Sequence, residues 1–181
     1  MGLIEINNPI EGALGPFRID GAPDAGTSEI QVLTFAGTWG AGDTFTLAYG
    51  DEVTADIAWS ATNNTLNTNV KNALNALDSI GANGVATATG TMTSGIGTMT
   101  VTFADKAPHD QIASDTVTPD SGSGSGDDGT VVGSTDTPGV APSFNGAIKG
   151  ALLNDVANAK LYENNGTAAQ AVWGLVSGQT A

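Results

Sequence analysis

The sequence predicts an α+β, mostly β protein: an antiparallel sheet domain with one amphipathic helix in the order β-β-β-α-β-β-β, an extended N-terminal arm before it and a small C-terminal β-meander after it. Three observations predict this. Short runs in which apolar residues alternate with Thr, Asp or Gln recur between glycine-rich breaks, the period of half-buried strands. A single stretch places apolar residues at three- and four-residue spacing, the period of a helix lying on a sheet. Among 181 residues there is no Cys, so packing and hydrogen bonds must hold the fold without disulfides or thiolate-bound zinc.

Residues 1–28 hold Pro9, Pro16 and Pro23 and several glycines between small apolar groups, which reads as an extended arm. Its apolar anchors, Leu3, Ile4, Ile6, Leu14, Phe17 and Ile19, are candidates for gripping a partner. From Glu29 the texture turns to strands at Ile30–Phe35, Thr44–Tyr49 and Val53–Trp59. Gly37, Gly40 and Gly42 separate the first two, and Gly50-Asp51 supplies hairpin-turn chemistry before the third.

The helix follows, with Leu66, Val70, Leu74 and Leu77 on one face and Ile80 widening the stripe. Ser60 or Thr62 can cap its start, and Gly81 can end it in a left-handed conformation. Asn67, Asn69, Lys71, Asn72, Asn75 and Asp78 form its polar side. Three more strands are expected at Val85–Thr89, Met99–Phe103 and Gln111–Val117, closing a domain over 29–119. Residues 120–142, a Gly/Ser/Asp tract with little to bury, read as a linker or long loop. Residues 143–181 give the meander, built on Leu152-Leu153, Lys160-Leu161-Tyr162 and Val172–Val176 and too small to stand alone. Leu152, Leu161, Tyr162, Val172 and Trp173 therefore need a second surface, which predicts a homo-oligomer, a trimer before a dimer.

Charge excludes whole classes of function. Nineteen acidic residues against five Lys plus Arg give a net charge of −14, with no basic cluster, so nucleic acid is not an expected partner. No run approaches 18 apolar residues, which predicts no membrane span. The N-terminus has no basic region, and Glu5 and Glu11 interrupt its apolar stretch, so it does not read as a secretion signal.

Few residues invite chemistry. Gly124–Gly129 has the spacing of a dinucleotide-binding fingerprint, but no strand feeds it, no helix follows, and Asp127 and Asp128 would oppose a pyrophosphate. Asp120, Asp127, Asp128 and Asp136 suggest calcium only loosely, since their spacing matches no ligand loop. His109 beside Asp110 lacks the nucleophile elbow that a triad requires and reads as a polar turn residue. Asp51-Glu52 are neighbours in sequence, which does not set two carboxyls across a substrate. Trp59 and Trp173 fall in strands and read as packing, whereas Trp39 in its Gly-rich loop could stack on a sugar. No catalytic residue, cofactor or metal is expected.

Two stretches carry a resemblance. Ile30–Thr34, Gly42–Leu47 and Ile57–Thr62, followed by the Leu66-Val70-Leu74-Leu77 helix, resemble a module of virion structural proteins of tailed bacteriophages. Gly146–Asp155, continuing through the K-L-Y-x-N-x-G-T core at Lys160–Thr167 to Trp173, is similar to the terminal segment of small phage structural proteins. The resemblance implies a setting, not a reaction: a capsid decoration (cement) protein made in the host cytoplasm, bound to the phage major capsid protein outside the assembled head and to copies of itself. A tail or fibre component that binds a receptor or glycan is the alternative it implies.

Overall fold

The structure, a computed structural model, describes residues 17–19, 22–93, 95–120, 129–142, 144, 147–168 and 170–176. Among these residues it is mostly β with one helix, and the chain divides into two compact units. One comprises Ser28–Gly139; the other joins Met1–Thr27 to Val140–Ala181.

In the Ser28–Gly139 unit, β2 (Ile30–Ala36) is flanked by β7 (Ile96–Phe103) and β9 (Thr130–Thr137), with β6 (Val85–Thr93) outside β7, all antiparallel. In a second sheet, β3 (Thr44–Tyr49) takes β8 (Ala113–Thr118) along one edge and β4 (Glu52–Val53) and β5 (Ile57–Ala58) in turn along the other. Alternation decides which side chains meet between the sheets: Leu33 and Phe35 from β2, Met99, Val101 and Phe103 from β7, and Phe45, Leu47 and Tyr49 from β3 are all buried. Phe35 meets Phe45 edge-on at 5.6 Å between ring centroids.

The helix α1 (Asn63–Asn75) packs on β5 and β6, burying Leu66, Val70 and Leu74. Its polar side does a second job. Asn63, Asn67, Lys71 and Asn75 recur every four residues and bond the outer backbone edge of β6: Asn63 Oδ1 accepts from Met92 N–H at 2.8 Å, Asn67 Nδ2 donates to Gly90 O at a long 3.5 Å, Lys71 Nζ donates to Ala86 O at 2.6 Å, and Asn75 exchanges bonds with Val85 N–H and C=O. From Asn63 to Asn75 the helix rises about 18 Å and from Met92 to Val85 the strand runs about 23 Å, so the four side chains reach β6 at uneven steps of two, four and one strand residues. The helix stands in for a fifth strand and covers an edge that would otherwise invite pairing.

Several boundaries differ from those expected. Thr62 occupies the helix N-cap position without a side-chain bond, while Ser60 Oγ accepts from the Thr62 N–H. The helix stops at Asn75; Leu77 packs from the turn beyond it, and Gly81 (φ 75°) closes that turn. Val53–Trp59 is not one strand, because buried Thr54 turns back to bond Leu47 through both its N–H and its hydroxyl, dividing β4 from β5.

The largest correction concerns 120–142. Residues 130–137 are strand β9, paired with β2 over its whole length, with Val131 turned into the core. Gly133 is required there: a Cβ would lie 1.8 Å from the Ile112 carbonyl oxygen. A linker-like composition thus conceals a strand whose order comes from its neighbours.

In the other unit the described residues form a four-stranded sheet in the order β1 (Phe17–Ile19), β10 (Leu152–Asp155), β11 (Lys160–Asn164), β12 (Trp173–Leu175). The expected meander is present, but β1 adds to it in parallel, with Phe17 opposite Leu153 and Ile19 opposite Asp155. Part of the expected arm is therefore a strand, and a long-range pairing creates it. Thr27 and Val140 exchange two 2.8 Å backbone bonds.

Candidate functional site

The richest polar cluster lies in the Ser28–Gly139 unit, around the first residues of β2 and the 104–112 loop. Glu29 is 3% exposed, and its carboxylate accepts from Gln31 Nε2 at 2.6 Å, His109 N–H at 2.9 Å and Gly139 N–H at 3.1 Å. Burial alone would raise its pKa, but the bonds from His109, Gln31 and Gly139 outweigh it and hold the carboxyl below its ordinary value. Gln31 is fully buried and bridges onward, donating to Asp110 O at 2.8 Å and accepting from Ile112 N–H at 2.8 Å. Gln111 continues the chain, donating to Gln31 Oε1 and accepting from Thr135 Oγ1 of β9.

His109 lies flat on Phe103, ring centroids 3.7 Å apart. Its Nε2 lies 2.6 Å from Asp105 Oδ1 and its Nδ1 2.8 Å from the Tyr49 hydroxyl. A carboxylate only accepts, so Nε2 carries a proton, and in the neutral ring Nδ1 then accepts from the Tyr49 hydroxyl. Burial first, and then the negative charges of Asp110, Asp105 and Glu29, raise the Tyr49 pKa, so its hydroxyl stays protonated. A Tyr-His-Asp row resembles a proton relay, yet Tyr49 is buried and its hydroxyl already engaged. The arrangement fastens the 104–112 loop onto two sheets.

Other acidic groups serve the same kind of purpose. Glu52 accepts the Ser79 hydroxyl and the N–H groups of Ser79 and Asp78, and these bonds, led by the Ser79 hydroxyl, depress its pKa. Buried Asp43 accepts from Gly40 N–H at 2.6 Å and from Asp120 N–H at 2.9 Å. Among the described residues no three His, Cys, Asp or Glu side chains gather as a metal site. Asp127 and Asp128, with Gly124–Ser125–Gly126, lie outside the described residues.

Trp39 differs from the sugar-stacking expectation. It lies on Trp59 at 4.8 Å and 21°, donates Nε1–H to Ala36 O, and packs so closely on Gly129 that a Cβ there would come within 2.5 Å of its ring. Its face is occupied by the protein's own core.

The expected interface residues are split by register. Leu3, Ile4, Ile6 and Leu14 lie outside the described residues, and Phe17 and Ile19 lie in β1, opposite Leu153 and Asp155. Tyr162 stands opposite Leu153 and Leu175, is 9% exposed, and belongs to the small sheet's own buried face, as does Trp173 by strand parity. Trp173 meets Phe144 edge-on at 6.4 Å. Leu152 and Leu161 sit on the reverse face, and Val172 is exposed before β12. The five residues do not form one patch.

Asn164 is what sequence reading missed in this unit. Fully buried, it accepts from Gly166 and Val172 N–H at 2.9 Å each and donates to Ala147 O at 2.6 Å and Ile148 O at 3.3 Å. It is the asparagine of K-L-Y-x-N-x-G-T, so that motif encodes a fold knot. Comparisons with protein-family models, curated proteins and solved structures return no match. No helix among the described residues is long and apolar enough to cross a membrane.

Proposed function

We propose that this chain is a non-enzymatic structural protein of a tailed-phage particle, a decoration protein that binds the outside of the assembled head through the major capsid protein and reinforces it. The observation that supports this best is the use made of its polar side chains. Glu29, Gln31, His109, Asp43 and Asn164 each bond backbone groups or neighbours that hold loops in place. Such a molecule works by shape and rigidity. The net charge of −14 suits an exterior position away from packaged nucleic acid, and self-association, a trimer before a dimer, completes the reading.

The test is location. Virions gently separated into heads and tails, followed by mass spectrometry, should find the chain on heads; shells lacking it should still assemble and should bind it when it is added back. Recovery on tails, or binding to host cells or glycans with none to shells, would favour the receptor-binding alternative. Truncation of the arm has to respect β1: removing residues 1–16 spares the sheet, whereas removing 1–28 deletes a strand.

A further inference from the structure

The β6-β7-β2-β9 sheet turns one face to the core and the other outward. Across the outward face the register aligns Val132, Thr34, Thr98 and Thr91 in one row, all exposed, Val132 by 62%. Val32 and Thr100 stand side by side in the next row. The four strands together contain one charged residue, Asp136, at the bulged end of β9. In a chain carrying 19 acidic residues this is a charge-free plane of threonine methyls, threonine hydroxyls and valines.

We infer that this face is a contact surface for a second copy of the same chain. Two copies at −14 repel each other wherever their acidic surfaces meet, and this plane is where they can approach without that opposition. A cationic partner would be drawn to the acidic remainder of the surface instead, and nucleic acid would be repelled by it. Twisted sheets stack face to face at about −30°, with branched side chains interleaving across about 10 Å, and Thr and Val suit that geometry. Four strands about 4.8 Å apart and seven residues rising about 3.3 Å each span roughly 400 Å². That is about half the usual 800 Å² per partner, so the contact is weak in solution and gains strength only where many copies are held close together. It is separate from the C-terminal module and stands whether or not the chain decorates a shell.

Sedimentation of the purified full-length protein, without shells, at about 10 µM to 1 mM tests it. Salt shortens the screening length from about 10 Å at 0.1 M to 3 Å at 1 M, so association should tighten, by roughly fivefold or more, as NaCl is raised over that range. Thr98→Glu and Thr34→Glu, both at exposed positions and checked for an unchanged circular dichroism spectrum, should abolish it. Because the chain has no native cysteine, oxidised Thr98→Cys should cross-link into dimers while exposed Asp56→Cys should not, which covers the case of a Glu variant that folds poorly. A protein that stays monomeric at every salt concentration, association that weakens with salt, or association and cross-linking indifferent to positions 34 and 98 would overturn the inference.

Discussion

The carboxylate of Glu29 receives the backbone N–H of His109 at 2.9 Å, a single bond joining residues eighty positions apart. With the bonds from Gln31 and Gly139 it makes Glu29 the point where the start of β2, the 104–112 loop and the end of the unit are tied together.

Glu29→Gln should therefore lower stability by about 1–3 kcal/mol near pH 7, since it puts an amide among donors that a carboxylate satisfies. The folded carboxyl titrates below its ordinary 4.5, so its contribution is present above the unfolded value and is lost as pH falls through the folded one. Urea unfolding of the wild type and the variant should differ by a constant amount above about pH 6 and converge between about pH 5 and 3. Relief of self-repulsion as other carboxyls protonate is common to both and cancels in the difference. A gap independent of pH would show that Glu29 contributes only packing.

Gly133→Ala separates a strand from a linker. The added Cβ would meet the Ile112 carbonyl oxygen at 1.8 Å, and backbone cannot swing aside as a side chain can. Thermal unfolding should report a loss of about 1–3 kcal/mol or more. In a solvated linker the same change would be neutral or slightly stabilising.

Why β9 was hidden in the sequence is the same physics. Gly133-Ser134-Thr135-Asp136 has the composition of a linker, and only Val131 points to the core; seven pairings with β2 supply the order. The strand β1 was hidden for a similar reason, its partner lying far along the chain. By contrast β2, β3, β7 and the Leu66-Val70-Leu74 stripe were legible, because burial on one face writes its period directly into the sequence. The polar cluster left one readable trace: Gln31 holds an inward phase of β2 shared with Leu33 and Phe35. The four-residue recurrence of Asn63, Asn67, Lys71 and Asn75 was equally visible, but its meaning depends on β6 lying alongside.

That recurrence makes its own prediction. Asn63→Ala and Asn75→Ala each remove the acceptor for an edge amide, Met92 and Val85 respectively. Each should cost about 1–2 kcal/mol, and hydrogen exchange should quicken at that amide while the amides β7 gives to β2 stay protected. The double variant should aggregate faster on heating, because it uncovers the outer edge of β6 at both ends. Unchanged exchange at Met92 and Val85 would mean that the helix covers the strand by bulk alone.

Asn164 gives the sharpest chemical test, since its two ends do opposite work. Asn164→Ala abandons two N–H groups and two carbonyls at once and should cost about 2–4 kcal/mol, with exchange quickening across residues 147–176. Asn164→Asp keeps an acceptor for Gly166 and Val172 but sets a carboxylate oxygen against the carbonyls of Ala147 and Ile148. Burial and those carbonyls favour the protonated acid, which can donate to Ala147, so the folded pKa rises above the unfolded value of about 3.9. A raised folded pKa adds stability below the unfolded value and loses it as pH climbs through the folded one. The Asp variant should thus recover toward wild type as pH is lowered from about 7 to 4, the reverse of the trend set by Glu29. If it is equally damaged at both ends of that range, the donor half of Asn164 is not what ties 147–148 to β11.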